Sequence, residues 1–219
     1  MGRCHSYPFP SFWPPQSTSF AAVPLDEESP EWRGVCDSLC QSMRDAEVVG
    51  ITRVQNRHLW EQHRHVELHT GSLGFEATPN RMWCSTHLTP PLEVVSSVDG
   101  LRPWTAVRGS SVYLQCAVQA SSLPCARAPV LLCLCLFPQT RGRSGRGEDF
   151  AEKAIDFHRR AYVKPGSDGV RQLVLCRVVP HSDHKPCRPK PGCDRSGEVV
   201  RVTQLSHVYP EFIVSYTCG

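Results

Sequence analysis

The apolar positions of the chain fall into two ordered stretches separated by one without a period. In the first, Trp32, Val35, Leu39 and Met43 recur at helical spacing, with Cys36 and Cys40 on the same side. Ser29-Pro30-Glu31 precedes them and reads as a helix start: a hydroxyl cap, proline at the first helical position, and a carboxylate in the first turn. The pattern predicts a helix running to about Arg44, with Trp32, Val35 and Leu39 facing a core. Val48 to Val54 is short and β-branched and predicts a strand, with Gly50 at a bulge. Asn56 then caps a second predicted helix, Arg57 to about His69. Leu59, Trp60, His63 and Val66 form its inner face, and Gly71 stands where a C-cap would lie. Residues 1–27 hold proline, serine and aromatics without a period and read as a flexible lead-in.

From Trp83 to about Ser144 the period disappears. Prolines fall at 90, 91, 103, 124, 129 and 138, and cysteines at 84, 116, 125, 133 and 135. The short apolar runs Ser111 to Val118 and Val130 to Phe137 lack the turn residues that would join them into a sheet. The reading for 83–144 is a poorly ordered segment that was not selected to fold. Its cysteines at 133 and 135, set between leucines, read as apolar filler and not as a redox pair.

Order is expected again from Gly145. Phe150 to about Tyr162 reads as a helix, with Ala151, Ala154 and His158 on one side and Arg159 and Arg160 on another. Gln172 to Val179 alternates as a strand, and His181 to Gly192 is a proline-containing loop. Glu198 to Thr203 and Glu211 to Tyr216 are two further strands, separated by a polar turn at Ser206-His207. The predicted class is α+β, divided as 1–27, 28–82, 83–144 and 145–219.

Composition narrows the class only slightly. With 24 basic and 21 acidic residues, the net charge of +3 does not by itself indicate a nucleic-acid partner. Arg141, Arg143, Arg146, Arg159 and Arg160 accordingly read as solvated surface residues. The 12 cysteines would suit a disulfide scaffold, but Met1 to Pro15 has no apolar signal region. The longest apolar run, Val130 to Phe137, is far shorter than the ~20 residues of a membrane helix. The expectation is a nuclear or cytoplasmic protein with reduced thiols, neither secreted nor in a membrane.

Four pieces of the sequence resemble one family in the correct order. Ile51-Thr-Arg-Val-Gln-Asn56 with Leu59-Trp60-Glu61 resembles an "I-x-R-[VI]-Q-N-x-x-L-W" signature. Asn80-Arg81-Met82 resembles the residues before an "L-F-H-G-T" motif, and Gly145-Arg-Gly147-Glu-Asp-Phe-Ala151 resembles "G-x-G-x-Y-F-A". Val208-Tyr-Pro-Glu-Phe-Ile-Val-Ser-Tyr216 resembles a C-terminal "x-Y-P-E-Y-[LIV]-I-x-Y" strand. The family is the catalytic domain of the poly(ADP-ribose) polymerases, in its mono-ADP-ribosylating branch. The resemblance implies a split antiparallel sheet of the ADP-ribosyltransferase type. It also implies NAD as substrate and protein side chains as acceptors of single ADP-ribose units.

Carried over residue by residue, the resemblance also implies loss. Ser85 stands where the family has its ribose-binding histidine. His87 lies two residues on without a following glycine, and His69 reads as a surface residue. Asp149 stands at the first nicotinamide-flanking tyrosine and Arg160 at the second, with Tyr162 the nearest remaining ring. Gly145, Gly147, Phe150 and Ala151 belong to the cofactor-side motif. Val199 occupies the position of the polymerases' glutamate and has no acid–base chemistry, while Glu211 reads as a surface residue. Impaired or absent transfer is therefore expected, the alternatives being a pseudoenzyme or an interaction module. The abrupt edges at Met82/Trp83 and Ser144/Gly145 read as a retained intron or a mispredicted exon.

One metal reading competes. Cys176, His181, His184, Cys187 and Cys193 gather in one stretch, and His181-x2-His184-x2-Cys187-x5-Cys193 offers four potential zinc ligands. The spacing matches no common finger, so the expectation is a loop without metal.

Overall fold

A computed structural model describes residues 7–72, 79–98, 100–101, 148–164, 166, 168–181, 184–186 and 199–219. These residues form an α+β unit around one antiparallel sheet. In chain order they give β1 (Phe20–Pro24), α1 (Pro30–Cys40), β2 (Ala46–Asn56), α2 (Arg57–Ser72), β3 (Asn80–Cys84) and α3 (Pro91–Ser96). Then come β4 (Glu148–Ala151), α4 (Ile155–His158), β5 (Tyr162–Val163), β6 (Arg171–Val178), β7 (Lys185–Pro186) and β8 (Val199–Val202). A 3-10 turn, Leu205–His207, leads into β9 (Val208–Cys218). The strand order is β1-β2-β9-β6-β3-β4-β8-β7, with β5 alongside β6. Among the described residues no helix is long and apolar enough to cross a membrane.

The local signals of the first half act as expected. The Ser29 hydroxyl accepts a hydrogen bond from the Trp32 amide at 3.1 Å, and Val35, Leu39 and Met43 are buried. The helix itself stops at Cys40, before Arg44, and a turn carries Met43 into the core. The β2 bulge falls between Val48 and Gly50. Asn56 Oδ1 accepts from the Leu59 amide at 3.2 Å, capping α2. Gly71 does not end that helix, which continues to Ser72.

Period-two alternation on the central strands feeds two cores. Leu173 and Leu175 of β6 join Trp83, Phe212, Val214 and Tyr216 on the face covered by α1 and α4. Val174, Cys176 and Val178 join Met82, Cys84, Ile213 and Val95 on the face covered by α3. A smaller group, Leu59, Trp60 and Tyr209, packs under Phe9 and Trp13.

Three expectations are corrected. The lead-in is structured from residue 7: β1 pairs in register with β2, and Trp13 lies 5.5 Å from Trp60. Its aromatics, without internal period, find their partners on distant elements. The break expected at Met82/Trp83 falls inside β3, and folded structure continues to Leu101. Trp83 is 0% exposed, because β3 is flanked by β6 and β4. The Asn56 amide donates to the Val95 and Ser97 carbonyls at 3.0 and 3.2 Å, joining the α2 cap to the end of α3. Gly100, at φ 61°, abuts Leu59 where a Cβ would meet Cδ2 at 3.1 Å. The helix expected over Phe150–Tyr162 is instead a strand, a turn and the single turn α4. Phe150, Ala154, Phe157 and Ala161 are all buried, which creates a helix-like spacing without a helix. Pairing of Phe150 with Val200 and of Ala151 with Val199 wins over local propensity.

The loop expected over His181–Gly192 contains the two-residue strand β7, and Cys176 lies outside it, buried in β6. Ser111–Val118, Val130–Phe137, the four cysteines from 116 to 135 together with 187 and 193, Gly145, Gly147 and the arginines at 141, 143 and 146 lie outside the described residues.

Candidate functional site

Strand β3 delivers the first site residue. Pairing with β6 ends at Cys84, opposite Val174, and the chain then turns through Ser85, Thr86 and His87. Ser85 is 8% exposed. Its hydroxyl donates to the backbone carbonyl of Arg160 and accepts from the His87 amide at 3.1 Å. Thr86 closes the turn by donating from its hydroxyl to the Thr89 carbonyl at 2.7 Å. His87 is the one non-glycine residue at positive φ (54°) among those described. Such conformations favour turns and functional sites.

Asp149 stands on β4 directly opposite Arg201 of β8, and its Oδ1 accepts from Arg201 Nε at 2.8 Å. Arg160 follows α4, its amide bonded to the Phe157 carbonyl at 2.8 Å. His87 sits in the field of both. Burial pushes its pKa down, the Arg160 guanidinium lowers it further, and Asp149 opposes them. The neutral imidazole is thus favoured, a form that both donates and accepts.

Ser85 thus joins the Arg160 backbone to the His87 amide, and the charge of Asp149 reaches His87 from β4. The other expected site residues serve the framework. Phe150 and Ala151 are fully buried core, Ala151 opposite Trp83 in the sheet. Val199 is buried opposite Ala151 and offers only aliphatic surface. Tyr162 is half-buried on β5, opposite Gln172. His69 is exposed on α2, its ring 4.2 Å from that of His65. Glu211, read as a surface residue, is instead mostly buried, its side chain 14% exposed, and accepts from Arg81 Nε at 2.8 Å. Both arginines near it, Arg81 and Arg177, are partly exposed.

Two polar groups escape sequence reading. His207, read as part of a polar turn, is 5% exposed and lies against His181 and His184. His158 Nδ1 meets the Tyr216 hydroxyl at 3.0 Å, and burial raises the Tyr216 pKa above its ordinary value. No local signal marks either, since each partner arrives from a distant part of the chain. The five described cysteines are free thiols. Cys84 and Cys176 face one another in the core with their sulfurs 3.6 Å apart, and burial pushes the Cys176 thiol well up.

Ser85→Ala removes the hydroxyl that joins the turn after β3 to the Arg160 carbonyl and the His87 amide. The expected loss is about 1–2 kcal/mol, measurable as a lower urea midpoint at unchanged slope.

No protein-family model matches the chain, and no curated protein matches it.

Proposed function

We propose that this domain is an ADP-ribosyltransferase-like fold of the poly(ADP-ribose) polymerase lineage, from its mono-transferring branch, with little or no transferase activity. One observation carries the reading: the Ser85 hydroxyl is bonded to the Arg160 backbone. Ser85 and Arg160 stand at the positions of the family's histidine and second tyrosine, which flank a single dinucleotide. Their meeting supports a site at the same place. Asp149, at the position of the first tyrosine, adds its charge to the same neighbourhood.

The side chains present favour weak binding over reaction. A serine hydroxyl already committed to a backbone carbonyl is poorly placed to orient a ribose. Asp149 attracts a cationic pyridinium but gives no stacking face, and Arg201 already neutralises it. Arg160 repels that same cation. Val199 has no group with which to polarise a ribose hydroxyl. At Ser85, Asp149, Arg160 and Val199 the side chains that would lower the barrier to ADP-ribose transfer are replaced, and the domain acts as a pseudoenzyme.

Incubation of the purified chain with NAD labelled in its adenine moiety tests both halves of the proposal. The expected result is saturable binding by calorimetry in the millimolar range and no label on protein. Covalent label would overturn the pseudoenzyme reading. Absence of any NAD binding up to saturating concentrations would overturn the dinucleotide site.

A further inference from the structure

At the opposite end of β3 from Ser85, three imidazoles from two parts of the chain come together. His181 and His184 follow β6, and His207 ends the 3-10 turn before β9. The ring centroids of His181 and His207 are 4.7 Å apart, those of His184 and His207 5.3 Å, and those of His181 and His184 6.0 Å. The backbone holds this arrangement from both sides. The Val179 amide donates to the His207 carbonyl at 2.9 Å, and the His184 amide donates to the His181 carbonyl at 3.0 Å. His207 is the buried anchor, while His181 and His184 are half-buried and line an open cleft of about 190 Å³ with Glu152 and Asn80.

The critical distance is between His184 Nε2 and His207 Nδ1, which face each other at 3.2 Å. Two nitrogens bound to one tetrahedral zinc ion, each at about 2.0–2.1 Å, stand about 3.3 Å apart. The pair thus already has the separation of two ligands on a shared ion. Among the described residues no three such donors yet converge as a finished site. The His181 ring stands edge-on to His207, so rotation about its side-chain torsions is the change that would bring a third nitrogen in. The cleft admits an ion from solvent, and the Glu152 carboxylate on its wall supplies an oxygen of the type that completes such spheres.

We propose that His184 and His207, joined by His181, form a binding site for a borderline divalent transition cation such as zinc, which closes on the ion when it arrives. The set differs from the ligand spacing legible in the sequence. It includes His207, distant in the chain, and excludes Cys176, which is buried in the sheet. It makes no use of the Ser85 site and stands or falls separately from it.

The test uses the full chain, stripped of metal and kept reduced, with cobalt(II) as the spectroscopic probe and zinc as competitor. One cobalt per chain is expected, displaced by zinc. Its affinity should fall at least tenfold in His184→Ala and again in His181→Ala. Both positions are half-buried, so thermal unfolding of the metal-free variants should match that of the parent and separate lost ligation from lost folding. Absence of cobalt binding overturns the proposal. So does binding whose affinity is unchanged in His184→Ala, which would assign the ion to thiolates and leave the two histidines sharing only a proton.

Discussion

Replacing Trp83 with alanine is expected to destabilise the protein by about 3–5 kcal/mol, the cost of emptying a fully buried aromatic site. Among the described residues Trp83 is the largest side chain with no exposed surface, and it shares a core with Leu39, Phe157, Leu175 and Tyr216. Its strand joins β6 to β4, so the cavity would open where the two halves of the sheet meet. A single domain commonly holds only about 5–15 kcal/mol in total, and the variant should therefore be partly unfolded at 37 °C. Trp83→Phe provides the control. The indole Nε1 is buried without a hydrogen-bond partner, so phenylalanine gives up volume but also removes an unmet donor. It should retain most of the stability. Urea denaturation of the three proteins decides the matter. Equal midpoints for Trp83→Ala and the parent would mean that the Trp83 side chain is not part of the core.

Acidification should destabilise the protein through His63, and His63→Leu should remove much of that sensitivity. His63 is 0% exposed and ringed by Trp60, Tyr209 and the His207 backbone. Burial, then the charges of Arg177 and Arg64, lowers its pKa to about 3. In the unfolded chain a histidine titrates near 6.5. Between those values the unfolded state takes up a proton that the folded state refuses. His63 therefore carries no protonation penalty above about pH 6.5, and stability falls as the pH drops from there toward 3. The slope for one such group is about 1.4 kcal/mol per pH unit, or roughly 2 kcal/mol lost by pH 5. His87 and His158 are shifted in the same direction and leave the variant a residual slope. At neutral pH the leucine should be neutral or stabilising, because it fills the site without two ring nitrogens that lack well-formed hydrogen bonds. Urea midpoints at pH 7 and pH 5 check this. A parent and variant that lose equal stability on acidification would show that His63 becomes protonated in the folded state.

The two predictions concern residues that local sequence treats very differently. His63 sits on the inner face expected for α2, with Leu59 and Trp60, so its burial is legible from helical spacing alone. Trp83 opens a stretch dense in proline and cysteine, and nothing within a few residues of it signals a core. Its burial comes from β6 and β4, whose partner residues lie about 70–90 positions further along the chain. The site divides in the same way. Ser85, Asp149 and Arg160 were identifiable as positions, by resemblance, but not as neighbours. His87, which senses both charges, and His207, which faces His184, become visible only when strands meet.

A few adjacent residues settle whatever backbone hydrogen bonds and periodic burial can fix locally. That covers the Ser29 and Asn56 caps, the Val35–Leu39 face of α1, the bulge in β2 and the alternation of β6. Tertiary structure alone decided that Glu148–Ala151 is a strand and not a helix, and that the aromatics of residues 7–13 cover Trp60. It alone brought together three histidines spanning 27 positions of sequence. The reason is that β pairing joins residues through contacts of long sequence separation. Their free energy depends on which surface the partner presents, and no local window contains that partner.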